Sequence, residues 1–437
     1  IISIAPEDHV QIKLEKVLHD LSIGEAALDW KQYFWGTPRD QKFLDRLRAL
    51  PRLSDAVDQL TVNPNKRNKR WIIGQGFQPE GINDDPKKSK LPSWNPEQLF
   101  LEGKSKYIDL LVLESDCSRV ENRFKRLRRL PDQQIFKRPH VLVSKGLKVA
   151  YSDFDVVFRH AVQGIHGHQK DANLLAFLAT TLNSDLANYF LFHTSANWGT
   201  ERDETHESEL LQFPFPFPED TQSPIESESI IREVSSKLKQ LKKRLENNVL
   251  GRKEIIEQAK RDLLVYVYRY YQIDELEQVL INDTVNSWIP SSTPNRSSLH
   301  IPTLKDSTKT ERLEYLNLLC DLLNRWSRRG SYQVSGKIIF ASNSKMAVIV
   351  LQKVLSQDVF PLNEHTSSPE LDEVISRILN LLPRHEGSIA YYRNLKVFDR
   401  DKLYILKSLA YRFWSKTTAL NDADEIAAAI LTNDYRG

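Results

Sequence analysis

Cysteine is nearly absent from this 437-residue chain, which contains only Cys117 and Cys320, far apart in sequence. Two distant cysteines support neither a disulfide framework nor a thiolate metal site, and a reducing, cytoplasmic compartment fits best. Long apolar runs are missing as well, since no segment approaches the roughly 18 apolar residues that a membrane span needs. The sequence therefore argues against disulfide-stabilised secreted proteins and against membrane insertion.

Catalytic signatures are also scarce. The sequence has no Walker loop, nucleophile elbow, HExxH motif or protein-kinase signature. His160, His166 and His168 lie near Asp153 and Asp155, but they lack the carboxylate and thiolate spacing of known metal sites. No metal is expected there, and phosphate contact or plain surface is favoured. A self-sufficient enzyme is therefore disfavoured.

Positive charge, in contrast, is concentrated in one window. From Cys117 to Lys148 the net charge is +8, which leaves −5 for the rest of a chain whose total is +3. The basic residues of the window are Arg119, Arg123, Lys125, Arg126, Arg128, Arg129, Lys137, Arg138, Lys145 and Lys148. Such a window suits the phosphates of a nucleic acid, where most basic side chains fix the register and one or two read a guanine edge.

A second basic stretch, NPNKRNKRW, lies in a predicted loop and indicates another phosphate-contacting arm. Its basic residues are Lys66, Arg67, Lys69 and Arg70, beside Trp71. Both stretches have a simpler alternative. Phe124, Leu127 and Leu130 share a helical stripe, so the first stretch would be the solvated face of a surface helix. The second stretch would be an exposed connection that happens to be basic.

The spacing of apolar residues predicts a helix-rich, mixed α+β fold. Short β-branched runs predict strands at 71–77 and 107–115 and a hairpin within 139–158. Apolar spacing of three and four predicts helices at 174–192 and a pair of antiparallel helices joined at Gly251. In the last helix, Asn421, Asp422 and Asp424 are expected at the positive N-terminus.

These elements group into five segments along the chain. We predict a helical connector (1–59), a small-sheet DNA-binding module (60–224), a helical hairpin (225–289), a linker rich in Ser, Thr, Pro and Asn (290–310) and a C-terminal α/β module (311–437).

The stretch from Leu182 to Pro218, LNSDLANYFLFHTSANWGTERDETHESELLQFPFPFP, ends a helix and adds a small-residue turn, a charged segment and a stiff Phe-Pro repeat. This order resembles the end of the target recognition region in N6-adenine DNA methyltransferases of restriction and phage-defence systems. Residues 135–158 look like the strand pair that contacts DNA in this family. Residues 392–431 are similar to the tail of some large defence-associated members. The resemblance covers residues 60–218 and, more loosely, the C-terminal segment.

The resemblance implies a C-terminal, DNA-reading half whose Rossmann-like catalytic domain lies upstream of Ile1, in agreement with the missing initiator Met. The family needs a Gly-rich loop for S-adenosylmethionine and an Asn-Pro-Pro-aromatic tetrapeptide for the flipped adenine. Here Gly74 and Gly76 form a lone Gly-x-Gly, and neither Asn63-Pro64 nor Asn95-Pro96 is followed by a second proline. No cofactor is therefore expected in this chain. S-adenosylmethionine is expected in the upstream catalytic domain or in a partner.

In this arrangement Lys145, Lys148 and Arg202 approach DNA, and Trp198 braces the turn or contacts a base. The implied partners are double-stranded DNA and a methyltransferase catalytic domain or other defence-system subunits, without a membrane. The chain would then be part of a site-specific adenine methyltransferase whose chemistry resides elsewhere. The alternative is a non-catalytic helical interaction module that scaffolds a defence complex, with the basic window facing an acidic protein.

Overall fold

The computed structural model describes residues 31–32, 35–60, 68–103, 106–121, 123–196, 198, 204–247, 251–292, 301–326, 330–382 and 395–432. They form two units. One is Phe43–Asp274, and the other comprises the described residues within Ile1–Lys42 and Glu275–Gly437. Both combine helices with β-sheets, which confirms the mixed α+β class. Within the described residues, no helix is long and apolar enough to cross a bilayer.

The helices include several single turns and two long elements. They are α1 (Pro38–Arg48), α2 (Leu53–Ala56), α3 (Ala172–Leu182), α4 (Asp185–Thr194), α5 (Glu207–Leu210), α6 (Pro224–Asn247), α7 (Arg252–Tyr270), α8 (Glu275–Asp283), α9 (Ile289–Ser292), α10 (Lys309–Trp326), α11 (Ser368–Leu381) and α12 (Lys416–Leu431). A π-helical turn, Thr284–Trp288, joins α8 to α9.

The strands are short before residue 274 and longer after it. They are β1 (Val57–Gln59), β2 (Trp71–Gln75), β3 (Gln78–Pro79), β4 (Leu99–Leu101), β5 (Leu110–Leu111), β6 (Ser118–Arg119), β7 (Leu127–Arg129), β8 (His140–Ser144), β9 (Val149–Ser152), β10 (Val157–Phe158), β11 (Val162–His166), β12 (Tyr332–Phe340), β13 (Met346–Leu355), β14 (Asn363–Thr366), β15 (Lys396–Asp399) and β16 (Lys402–Ser408).

A six-stranded sheet organises the Phe43–Asp274 unit, in the order β1-β2-β11-β8-β9-β5. Gly74 and Gly164 are direct cross-strand partners in β2 and β11. A Cβ on Gly164 would lie 2.7 Å from the Phe158 ring and 2.9 Å from the Ile135 carbonyl oxygen. The glycines therefore let Phe158 and Ile135 lie directly on the sheet, a packing role that explains Gly74 better than a nucleotide loop does.

The basic segment after residue 118 is not a surface helix. It contains β6, irregular backbone and β7, and β7 pairs with β3 in a two-stranded ribbon. Phe124 and Leu130 pack against a core in which Leu127 is fully buried. The helical alternative is wrong because apolar residues three apart also fit a chain that turns and then extends, and tertiary packing decides between the two.

The predicted helical pair is present as α6 and α7. Gly251 has the positive φ of 75° that a left-handed turn requires. Arg269 near the end of α7 forms a 3.0 Å ion pair with Glu226 near the start of α6, as expected for antiparallel helices. The Tyr270 hydroxyl donates to the Pro216 carbonyl, so α7 also fixes the Phe-Pro segment. That segment is extended, as predicted from its prolines.

In the unit that contains Glu275–Gly437, a five-stranded sheet has the order β14-β12-β13-β16-β15. Only β12 and β14 pair in parallel. Helix α11 packs against β12, β13 and β15, and helix α10 packs against β12 and α12. Residues 293–300 of the predicted linker lie outside the described residues.

The expectation for the last helix is wrong. Helix α12 begins at Lys416, where the Ser415 side chain caps it by accepting from the Thr418 backbone. Asp422 therefore lies in the second turn, fully buried, where Lys407 and the Tyr315 hydroxyl donate to it. The sequence placed these acidic residues at the N-terminus of the helix because it does not show that Asp422 pairs with a lysine on β16.

Candidate nucleic-acid interface

The six-stranded sheet separates the predicted cations into two groups. β2 and β8 both pair antiparallel with β11, so they run in one direction and begin at the same end of the sheet. The end where they begin, here called the Arg70 end, carries Lys69, Arg70, Lys137 and Arg138; the other, called the Lys145 end, carries Lys145 and Lys148. A five-residue strand separates the two ends by about 17 Å. The cations therefore do not form one continuous patch.

At the Arg70 end, carboxylates engage Arg70 itself. Its Nη2 and Nε donate to Asp171 at 2.7 and 3.1 Å, and its Nη1 donates to Glu219 at 3.1 Å. The guanidinium also lies 4.5 Å from the Phe217 ring centroid. The hydrogen bonds that Arg70 donates to Asp171, whose side chain is only 2% exposed, raise the pKa of Arg70. Arg70 thus closes an internal network and has little capacity left for a phosphate.

The other cations of the Arg70 end are similarly engaged or adjacent to acid. Lys137 Nζ lies 2.8 Å from Asp155 Oδ2, and the backbone N–H of Arg138 donates to the other oxygen of Asp155. The Lys69 ammonium donates to the Ser54 carbonyl. Although burial opposes it, the hydrogen bond from Lys137 lowers the pKa of Asp155, which is therefore ionised. Carboxylates thus neutralise Arg70 and Lys137, while the Lys69 and Arg138 side chains form no ion pair within the described residues.

The Lys145 end has a different character. Residues 144–148 form a tight turn in which Ser144 N–H donates to the Lys148 carbonyl at 2.8 Å and Leu147 takes a positive φ of 54°. Lys145 and Lys148 are both exposed. Neither ammonium group forms an ion pair with a carboxylate in the described part of the chain. The turn thus presents two uncompensated charges to solvent, as a phosphate-contacting element requires.

Arg129, in β7, belongs to the same end of the sheet. Its Nη2 donates to Gln75 Oε1 at 2.8 Å and to the Gly76 carbonyl at 3.3 Å. Burial and the neighbouring charge of Arg128 lower the pKa of Arg129, although the group stays cationic. Arg128 is 60% exposed and lies 3.7 Å from Asp84, a distance at which an exposed pair contributes little.

A cleft opens between this turn and the segment before α5. Among its lining residues are Gln75, Lys145, His160, Gln163 and Thr205. Thr205 N–H donates to the Lys145 carbonyl at 2.7 Å, which fixes the segment against the turn. This hydrogen bond joins the turn to the segment before α5, so the backbone at the border of the cleft is held in place. The lining side chains named above are polar.

The cleft is electropositive. Burial lowers the pKa of His160, and the positive charges of Arg159, Arg129 and Lys145 lower it further. A neutral imidazole near three cations is the response expected where positive charge predominates, although Glu207 also acts on Arg129. Arg159 was not predicted as a contact, since no charge run surrounds it in sequence, and His160 was predicted as phosphate contact or plain surface without its cationic neighbours. Their relation to Lys145 arises only from the pairing of β8 with β11.

The remaining predicted residues lie away from these two ends or outside the described residues. Arg119 Nη1 donates to the Glu97 carbonyl, and Arg123 lies 3.8 Å from Glu102. Lys125 and Arg126 are exposed, and Trp198 is half-buried with its backbone N–H donating to Ser195 Oγ at 3.2 Å. Lys66, Arg67 and Arg202 fall outside the described residues.

Asn95, the described asparagine of the two Asn-Pro pairs, is part of a local turn. Its Oδ1 accepts from Glu97 N–H at 3.0 Å, and its carbonyl accepts from Gln98 N–H at 2.9 Å. A side chain engaged in its own turn is not disposed to hold an adenine amino group. Asn95 therefore does not fit a methyl-transfer centre, and Asn63 lies outside the described residues.

Comparison with known proteins gives only distant similarity. No protein-family model matches the sequence, and no curated protein matches it. The chain is similar to the HsdS subunit from Thermoanaerobacter tengcongensis, with 11% identity over 60% of this chain and 56% of that chain, and a TM-score of 0.21. It is similarly related, at 12% identity over 59% of this chain and 56% of that chain, to a structure of the type I R-M system, also with a TM-score of 0.21. This chain spans 56% of the length of either structure, and similarity at that level carries no argument about function.

Proposed function

We propose that this chain is the DNA-recognition portion of an adenine-N6 DNA methyltransferase in a restriction-modification or phage-defence system. It binds duplex DNA through the Lys145 end of the six-stranded sheet. The observation that carries the proposal is that Lys145 and Lys148 are exposed and have no carboxylate partner within the described residues, whereas Arg70 and Lys137 at the opposite end are paired with Asp171 and Asp155. A surface whose cations stay unpaired while those of the opposite end are partly neutralised has a preferred side for phosphates.

The methyltransferase part of the proposal is supported by the sequence resemblance of residues 60–218 alone. It assigns S-adenosylmethionine and methyl transfer to a catalytic domain upstream or to a partner, and it gives this chain the role of positioning DNA. The fixed turn and the extended Phe-Pro segment suit that role, because contacts on well-packed elements hold a duplex in one register.

Duplex binding is tested by fluorescence anisotropy with a labelled duplex at several salt concentrations. We expect the logarithm of the association constant to fall linearly with the logarithm of salt concentration, since each neutralised phosphate releases counterions. Binding that does not weaken with salt argues against the proposal. Retention of an acidic protein partner by a chain that fails to retain duplex would favour the scaffold alternative.

A further inference from the structure

The cleft at the Lys145 end contains an unusual number of polar atoms without partners. His160 Nδ1, Thr205 Oγ1 and Arg129 Nε are buried and make no hydrogen bond. Buried polar atoms in folded proteins are satisfied in the great majority of cases, because leaving one unpaired costs free energy. His160 and Thr205 line the cleft, and Arg129 hydrogen-bonds to the lining residue Gln75, so the three unpaired atoms gather where a polar ligand would find partners.

Two glutamine side chains lie in this cleft as direct cross-strand partners. Gln75 of β2 pairs with Gln163 of β11, so both side chains lie on the same face of the sheet. Gln75 Oε1 accepts from Arg129, which fixes that amide and leaves it only donors to offer. The Gln163 amide has no hydrogen-bond partner within the described residues, so both its oxygen and its nitrogen are available.

The available atoms of Gln163 match one base edge better than the others. In the major groove adenine presents the N7 acceptor next to the N6 amino donor, and a glutamine amide satisfies both at once. Guanine presents two acceptors there, and cytosine presents a donor. An amide with a free donor and a free acceptor is therefore complementary to adenine.

The lining of the cleft favours reading a paired base over holding an extruded one. Enzymes that flip a base stack it between aromatic or apolar side chains. The lining residues of the described chain include the apolar Val143 and Leu210 but no phenyl or indole ring, so they offer no aromatic pair between which a base could stack. Lys145 lines the cleft and Lys148 lies in the same turn, where both can contact the phosphates on either side of a base pair.

We propose that Gln163 reads the major-groove edge of one adenine in the bound duplex, with Gln75 and Arg129 positioning it and Lys145 and Lys148 holding the flanking phosphates. This inference depends on the proposed duplex binding. It adds a specificity-determining residue that charge patterns in the sequence did not indicate.

The experiment selects preferred duplexes from a randomised pool with the full chain and with two variants. For Gln163→Ala we expect discrimination in favour of A·T at one position to fall by about tenfold to hundredfold, while the dependence of binding on salt is unchanged. For Gln163→Glu we expect the preference at that position to move from adenine to cytosine, because a carboxylate accepts from the cytosine amino group. Gln134→Ala, an exposed glutamine near the Arg70 end, serves as the control and should retain the original preference.

The outcomes separate this inference from the proposed function. Salt-dependent duplex binding with the same base preference in Gln163→Ala, or without any preference in the unaltered chain, overturns the inference and leaves the proposed function standing. A uniform loss of affinity for every sequence would make Gln163 a backbone contact and would also overturn it. If the unaltered chain binds no duplex, both fall. The unfolding midpoint of each variant, measured in urea, shows whether a lost preference reflects a lost fold.

Discussion

The double substitution Lys145→Ala/Lys148→Ala isolates the charge at the proposed DNA-binding end. Both ammonium groups are exposed and unpaired within the described residues, so their removal costs little stability. Each phosphate contact contributes about 0.9 to the slope of log association constant against log salt, so two contacts contribute about 1.8. At physiological salt, about 0.15 M, the same relation gives a loss of about 30-fold in duplex affinity, or about 2 kcal/mol.

The matched control is Lys137→Ala/Arg138→Ala at the Arg70 end. It also removes two positive charges from the basic window, so any effect of the chain's net charge on DNA binding is equal in the two variants. Because Lys137 is paired with Asp155, and because both residues lie about 17 Å from the Lys145 turn, the control should change the salt slope by much less than the test variant. Anisotropy titrations between about 50 and 200 mM salt resolve the difference.

Two results would refute the reasoning. An unchanged slope in Lys145→Ala/Lys148→Ala would show that the turn does not contact phosphates. An equal decrease in both double variants would show that the duplex responds to the net charge of the chain and not to one end of the sheet. A larger decrease in the control would place DNA at the Arg70 end, against the structural argument from ion pairing.

Three further predictions concern the framework that supports this surface. Arg70→Ala removes the cationic partner of the buried Asp171, which keeps the hydrogen bond from the Trp71 indole, and should lower the free energy of unfolding by about 2–3 kcal/mol in urea, with little change in duplex affinity. Asp422→Asn should destabilise its unit by about 3–5 kcal/mol, measured by hydrogen exchange of β16. Although burial opposes it, Lys407 holds the pKa of Asp422 well below its usual range, so this contribution is complete above the unfolded pKa of about 3.9 and is lost as pH falls below it. Gly164→Ala should cost about 1–3 kcal/mol in urea, because its Cβ would lie 2.7 Å from the Phe158 ring.

Local patterns in the sequence predicted the elements that depend on near neighbours. The β-branched run within Trp71–Gln75, the hairpin break after Ser144 and the apolar spacing of α6 and α7 each reflect contacts within a few residues. The same patterns allowed a helix for the basic segment, because the spacing of Phe124 and Leu127 contains no information about the pairing of β7 with β3. Secondary structure was predictable where local geometry decides it.

The candidate interface could be predicted only as a set of charges. Arg70 and its partner Asp171 are 101 residues apart, so a count of charges in a window cannot show that the arginine is neutralised. The division of the cations into two ends depends on the direction of β8 relative to β11, which a single sequence does not specify. Gln163 carries no charge and follows a buried valine, so its neighbours in sequence do not mark it as a contact. Its position opposite Gln75 in the sheet does.

The contrast between the two ends also explains why the uncompensated charge argues for a ligand. The chain forms close carboxylate pairs with Arg70 and Lys137, so it has the means to neutralise exposed cations. At the Lys145 end it instead places Arg129 and Lys145 close enough to lower the pKa of His160, an unfavourable arrangement for the isolated protein. Departures from favourable local electrostatics are expected where a site meets its partner. A polyanion would relieve the repulsion and satisfy the unpaired cleft atoms together, which no rearrangement of the exposed lysines alone would do.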